Sequence, residues 1–148
     1  MGVRGPEWGG AVGVTDILTL DAMEALARDT WTTLPSGSVV WLSGELGSGK
    51  TTFVRALTRA AGAEPARSPT YALIHTYQSP AGSIVHVDGY RLRATEEAAD
   101  LDLAVLARTA RLTLIEWPER LGPWAPPANL RLAFAHDVVP DRRRVRRG

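Results

Sequence analysis

Apolar residues fall along the chain in short runs of strand length and in stretches of helical spacing, and the two kinds alternate. Residues 16–20 read as a short strand. Asp21 then stands as an N-cap for a helix over 21–33, with Met23, Leu26, Ala27 and Thr30 on one face. Pro35, Ser36 and Gly37 break it. Residues 38–43, SVVWLS, form a near-continuous apolar run, the pattern of a strand buried on both faces of a sheet. A glycine-rich stretch follows, then a helical pattern over 50–61 that stops at Gly62. Residues 71–77 and 83–87 read as strands joined by a turn at Ser79-Pro80-Ala81-Gly82. The pattern over 95–108 predicts a helix capped by Thr95. Residues 111–115 predict another apolar strand, 118–129 an irregular stretch with four prolines, and 130–135 a weaker strand; Val145 fits a last one.

A helix placed directly after a doubly buried strand, within mixed β and α elements, predicts a three-layer α/β/α fold with a mostly parallel central sheet. At 148 residues, 45% hydrophobic and 22% charged, the chain fits one domain, 1–148, with about 1–11 and 143–148 expected to be flexible. It has no cysteine, which excludes disulfides, thiolate metal sites and a cysteine nucleophile. No apolar run reaches the roughly 18 residues that span a bilayer, and MGVRGPEWGG lacks the core of a signal peptide. A cytoplasmic location without membrane contact is therefore expected.

Charge is unevenly spread. Taking the five positive charges of Arg142, Arg143, Arg144, Arg146 and Arg147 from the formal net of +1 leaves the remainder at −4. Such a basic arm can meet phosphate or an acidic partner, or it can be a solvated, frayed terminus. Every other basic residue of the 17 Lys+Arg is arginine; Lys50 is the sole lysine.

That lysine closes a motif. Gly44-Glu45-Leu46-Gly47-Ser48-Gly49-Lys50-Thr51 fits G-x-x-x-x-G-K-[ST] at every fixed position. Its glycines let backbone N–H groups curl around a phosphate where a Cβ would clash. The following helix aims its free N–H groups and positive dipole end at the same phosphate. Lys50 supplies a compact point charge to the outer phosphates, and the Thr51 hydroxyl is suited to Mg²⁺. Nucleotide binding is the expectation, through Glu45, Leu46, Gly47, Ser48, Gly49, Lys50, Thr51 and Thr52.

A phosphate loop of this kind needs an acid for the metal shell and often another to orient the attacking group. Asp88 ends the strand IVHVD and Glu116 ends LTLIE, and ligands sit beyond strand C-termini in parallel α/β sheets. Trp117-Pro118 follows and is placed to wall the pocket or to lid the core. His86 shares a sheet side with Asp88 by i, i+2 spacing; His86 and His75 lack metal-ligand spacing and read as structural. No Ser-His-Asp arrangement is present.

With these motifs the chain resembles the small bacterial P-loop ATPases of the TsaE (YjeE) family. The resemblance rests on residues 44–55, on Ser68-Pro69-Thr70-Tyr71, on His86-Val87-Asp88-Gly89-Tyr90-Arg91-Leu92 and on Ile115-Glu116-Trp117-Pro118-Glu119-Arg120, and it covers about residues 15–146. It implies slow, partner-coupled ATP hydrolysis with ATP and Mg²⁺ as ligands. It implies a role in forming threonylcarbamoyladenosine in tRNAs that read codons starting with adenine. ATP turnover would regulate or reset a TsaD–TsaB complex, and tRNA contact would be indirect, through that complex. By the same resemblance Thr51 and Glu116 hold Mg²⁺, Asp88 acts near the γ-phosphate through water, and Ser68 to Thr70 forms a nucleotide-sensing switch. Trp117 lies beside the site, residues 20–23 lie near the base, and an arginine among Arg142, Arg143 and Arg144, here Arg142, closes over the nucleotide. Gly89 stands where the family usually has Leu, Asp102 where it commonly has Gly, and Pro140-Asp141-Arg142 where it has a Gly-Arg pair. Two other classes compete: a small-molecule kinase, for which Arg91 and Arg93 are a thin lid, and a nucleotide-dependent binding module without turnover.

Overall fold

The computed structural model describes residues 14–65 and 73–148. In chain order its strands and helices are β1 (Val14–Leu18), α1 (Leu20–Thr33), β2 (Ser38–Ser43), α2 (Lys50–Ala60), β3 (Glu64–Pro65), β4 (Ile74–Ser79), β5 (Gly82–Asp88), α3 (Leu103–Thr109), β6 (Leu112–Glu116), β7 (Leu130–His136) and β8 (Arg143–Arg147). The strands form one sheet in the order β1-β8-β7-β2-β6-β5-β4-β3. Its middle, β7-β2-β6-β5, is parallel, and both flanks are antiparallel.

Side-chain alternation splits the core in two. Val40, Leu42, Ile84, Leu112, Leu114, Leu132 and Phe134 face α1 and α2. Val39, Val85, Val87 and Ile115 face the other side, where α3 and the short 3₁₀ turns supply Leu101, Leu103, Ala107 and Leu121. Three layers result, as the sequence pattern predicts. SVVWLS runs in the centre because both of its faces are covered.

Local departures have physical causes. Strand β1 begins and ends two residues before the expected 16–20. Thr19, not Asp21, caps α1: its hydroxyl accepts from Ala22 N–H at 3.3 Å. The helix expected over 95–108 is instead a 3₁₀ turn (Thr95–Leu101) and α3, separated by Asp102 in the left-handed region at φ 50°. Glu97, not Thr95, caps that turn, its carboxylate accepting from Ala94 N–H at 2.9 Å. The proline-rich stretch holds a 3₁₀ segment, Pro118–Trp124, broken at Gly122.

The largest correction concerns the basic tail. Residues 143–148 are expected to be flexible, yet Arg143–Arg147 forms β8, paired antiparallel with both β1 and β7. Val145, 1% exposed, anchors it in the α1/α2 core beside Phe134. Ser68, Pro69 and Thr70, expected to form a switch, lie outside the described residues, as do residues 1–11.

Candidate functional site

The loop between β2 and α2 is built on left-handed glycines: Gly44 at φ 137°, Gly47 at 75° and Gly49 at 117°. A Cβ on Gly44 would stand 2.3 Å from the Phe134 carbonyl oxygen and 2.7 Å from Ser48 Oγ, so the chain cannot carry a side chain there. Gly49 ends the loop and opens α2 without any side-chain cap. The first intrahelical bond runs from Phe53 N–H to the Gly49 carbonyl at 2.9 Å. The preceding N–H groups of Lys50, Thr51 and Thr52 therefore have no partner within the helix. Ser48 Oγ is buried and unpartnered. An anion fits this arrangement of open donors at a helix start.

Lys50 is 4% exposed. Its ammonium donates to the Gly44 carbonyl and, at 2.8 Å, to that of Glu45, and sits 4.8 Å from the centre of the Trp117 ring. Burial lowers the pKa of this amine; the carboxylates of Glu116, Glu119, Asp88 and Glu45 pull it back up. The lysine thus rests inside the loop, where a bound phosphate would be its natural counter-charge.

Strand register lines up the acids. Leu42, just before the loop, pairs with Glu116 on β6, and Glu116 pairs with Asp88 on β5. Loop, Glu116 and Asp88 therefore lie in a row along the C-terminal edge of the parallel strands, as the sequence leads one to expect. Glu116 is 7% exposed, and its Oε2 lies 2.6 Å from His86 Nε2. Asp88 caps the turn after β5, accepting from Tyr90 N–H at 3.2 Å and Arg91 Nε–H at 3.3 Å. Trp117 adopts φ 56°, rare for a bulky residue and commonest at functional sites, and packs between Lys50 and Tyr90, whose ring centre is 5.1 Å away. Gly89 permits this crowding: a Cβ there would lie 2.6 Å from the Trp117 carbonyl oxygen and 2.8 Å from that of Glu116.

On the other side of the loop opens a cavity of about 650 Å³. The β1–α1 junction (Leu18, Thr19, Leu20, Asp21, Met23) and the β7–β8 connection (Val139 to Arg143) line it, with Gly49 and Thr52 on its floor. Mixed apolar and polar walls beside a phosphate-shaped loop suit the base and sugar of a nucleotide. Arg142, named from the sequence, is on this wall. Arg143, within the group Arg142 to Arg144 named from the sequence, also reaches the loop: its Cγ is 3.3 Å from where a Gly49 Cβ would be, and its Nε is buried without a hydrogen-bond partner. His86 was missed as a partner of Glu116; only the cross-strand register reveals it. Thr51 is exposed at the start of α2, and Glu45 and Leu46 are exposed on the loop. Among the described residues no three His, Cys, Asp or Glu side chains could hold a metal ion by themselves. No helix among them is long and apolar enough to cross a membrane.

Comparison with known proteins agrees with this geometry. The family model described as threonylcarbamoyl adenosine biosynthesis protein TsaE matches residues 17–145. Curated proteins named tRNA threonylcarbamoyladenosine biosynthesis protein TsaE are similar. The one from Rickettsia bellii is 43% identical over 59% of this chain and 61% of its own length. That from Aquifex aeolicus is 35% identical over 66% and 71%, and that from Streptomyces coelicolor 40% over 66% and 68%. The matches thus span about 61% to 71% of these relatives. In fold the chain is similar to a Bacillus crystal structure titled YdiB, with a TM-score of 0.66 and 22% identity over 93% of this chain and 87% of the other. Loop, paired strand-end acids and family match together make this chain a member of the TsaE family.

Proposed function

We propose that this chain is a slow, Mg²⁺-dependent ATPase serving the formation of threonylcarbamoyladenosine in tRNAs that read codons starting with adenine. Its ATP binding and hydrolysis regulate or reset a TsaD–TsaB complex, through which its contact with tRNA is indirect. The observation that carries the reading is the uncapped start of α2 behind left-handed Gly49, with buried Lys50 beside it and Glu116 and Asp88 next in register.

In this reading Lys50 exchanges its two loop carbonyls for the outer phosphates, and the N–H groups of Lys50 to Thr52 bind the inner ones. The pocket at Leu20 to Met23 takes the base, and Arg142 with Arg143 closes over the nucleotide. Trp117 walls the phosphate end. Thr51 Oγ1 and a Glu116 carboxylate oxygen are hard donors of the kind Mg²⁺ takes, and an ion held by these two would arrive with the nucleotide. Bound there, Mg²⁺ would neutralise charge on the β- and γ-phosphates. Asp88 accepts a hydrogen bond from the attacking water and orients it in line.

The test is ATP turnover with and without Mg²⁺, by the chain alone and with a TsaD–TsaB pair. Slow Mg²⁺-dependent turnover that changes on adding the pair, and that Glu116→Ala lowers by about 10²-fold or more, is expected. Turnover indifferent to the pair but switched on by a small acceptor would replace this reading with a kinase.

A further inference from the structure

Glu116 poses a question that the phosphate loop leaves open. It is a carboxylate 7% exposed at the end of β6, and a buried carboxylate needs a donor. The Lys50 ammonium donates to the Gly44 and Glu45 carbonyls. The hydrogen-bond partner found for the Glu116 side chain among the described residues is His86, at 2.6 Å.

The fold builds this contact. His86 pairs with Leu114 and Glu116 lies two residues on, so the two side chains are diagonal neighbours on the α2 side of the sheet. Both side chains are largely buried. His75 pairs with His86 across β4 and β5, its ring centre 6.0 Å away, and limits the swing of the His86 ring.

We propose that His86 is the positioning residue for Glu116: through Nε2 it holds Oε2, fixing the carboxylate so that Oε1 serves the metal. The inference rests on the reading of Glu116 as a metal-binding acid. It adds an outer partner of the kind that orients ligands in metal sites and whose loss costs metal affinity about 10- to 100-fold.

The experiment measures binding of ADP, with Mg²⁺ varied and with Mg²⁺ chelated. The proteins compared are the parent, His86→Ala, His86→Gln, Glu116→Ala and the double variant. The expected result for His86→Ala is a 10- to 100-fold rise in the Mg²⁺ concentration needed to support ADP binding, at unchanged Mg²⁺-free affinity. His86→Gln, whose amide N–H reaches to a similar point, reverses most of that rise. In the Glu116→Ala background His86→Ala adds nothing. Should Glu116→Ala abolish the Mg²⁺ dependence while His86→Ala stays within about twofold of the parent, the positioning role is wrong and the acid's role stands. Equal losses with and without Mg²⁺ in His86→Ala mean a packing role only and overturn the proposal. If Glu116→Ala itself leaves the Mg²⁺ dependence intact, the metal reading falls and takes the proposal with it.

Discussion

Replacing Lys50 by methionine should move stability and affinity in opposite directions. Lys50 is buried as a residue, and burial lowers the pKa of its amine, so holding it charged costs the folded protein free energy. Methionine keeps the stem and removes the charge. The carbonyls it leaves belong to half-buried Gly44 and exposed Glu45, where water can replace the lost donor. Replacing a buried ion pair by apolar groups is often neutral or stabilising by about 1–4 kcal/mol; here a single charge goes, with two hydrogen bonds, while His86 still holds the Glu116 carboxylate, which places this site at the low end, about 0–2 kcal/mol. A nucleotide sees the reverse. One ammonium about 4 Å from one phosphate charge is worth about 4 kcal/mol at an effective dielectric constant of 20, close to three decades of affinity. Urea unfolding of the nucleotide-free proteins and calorimetric titration with ATP measure the two effects. The stability difference should depend on pH. Because the folded amine loses its proton at lower pH than the unfolded one, the parent gains stability as pH rises through the interval between the lowered value and the ordinary lysine range. Lys50→Met has no such gain. Undiminished ATP affinity, or a nucleotide-free variant less stable than the parent by over about 1 kcal/mol, would refute the reasoning.

Two further outcomes follow from the fold. Deleting residues 143–148 removes buried Val145, leaves β1 without a strand partner and opens one edge of β7; the urea midpoint should fall by the equivalent of at least about 2 kcal/mol, and an unchanged midpoint would return this segment to a solvated tail. Asp102→Gly relieves a left-handed residue with no capping hydrogen bond, a relief of about 1–2 kcal/mol against about 0.5–1 kcal/mol of added unfolded-state entropy. A gain of up to about 1 kcal/mol in urea is expected, and a loss would show that the aspartate has a stabilising contact.

What the sequence made legible was local. SVVWLS and the glycine spacing after it encode strand, loop and helix in one continuous stretch, so β2, the loop and α2 are placed almost to the residue. The acids were legible because each ends an apolar run. Strand β8 was not, since RRVRR shows one apolar residue and its partners lie at the far end of the chain. The break at Asp102 was hidden by apolar spacing that continues through it. The partnership of His86 with Glu116 depends on how β5 and β6 are staggered, which no single stretch records.

The pairing of Val14 with Arg147 joins segments from opposite ends of the described chain, and the cavity beside the loop takes its walls from both. During synthesis the phosphate loop and the acids at the ends of β5 and β6 are made well before residues 139–143. The residues of the phosphate-binding row are thus all in the chain before half of the cavity wall is added. Such non-local closure is intrinsically slow. Nucleotide present during refolding should therefore bind late, and should act on the final docking of β8 rather than on the early collapse of the parallel core.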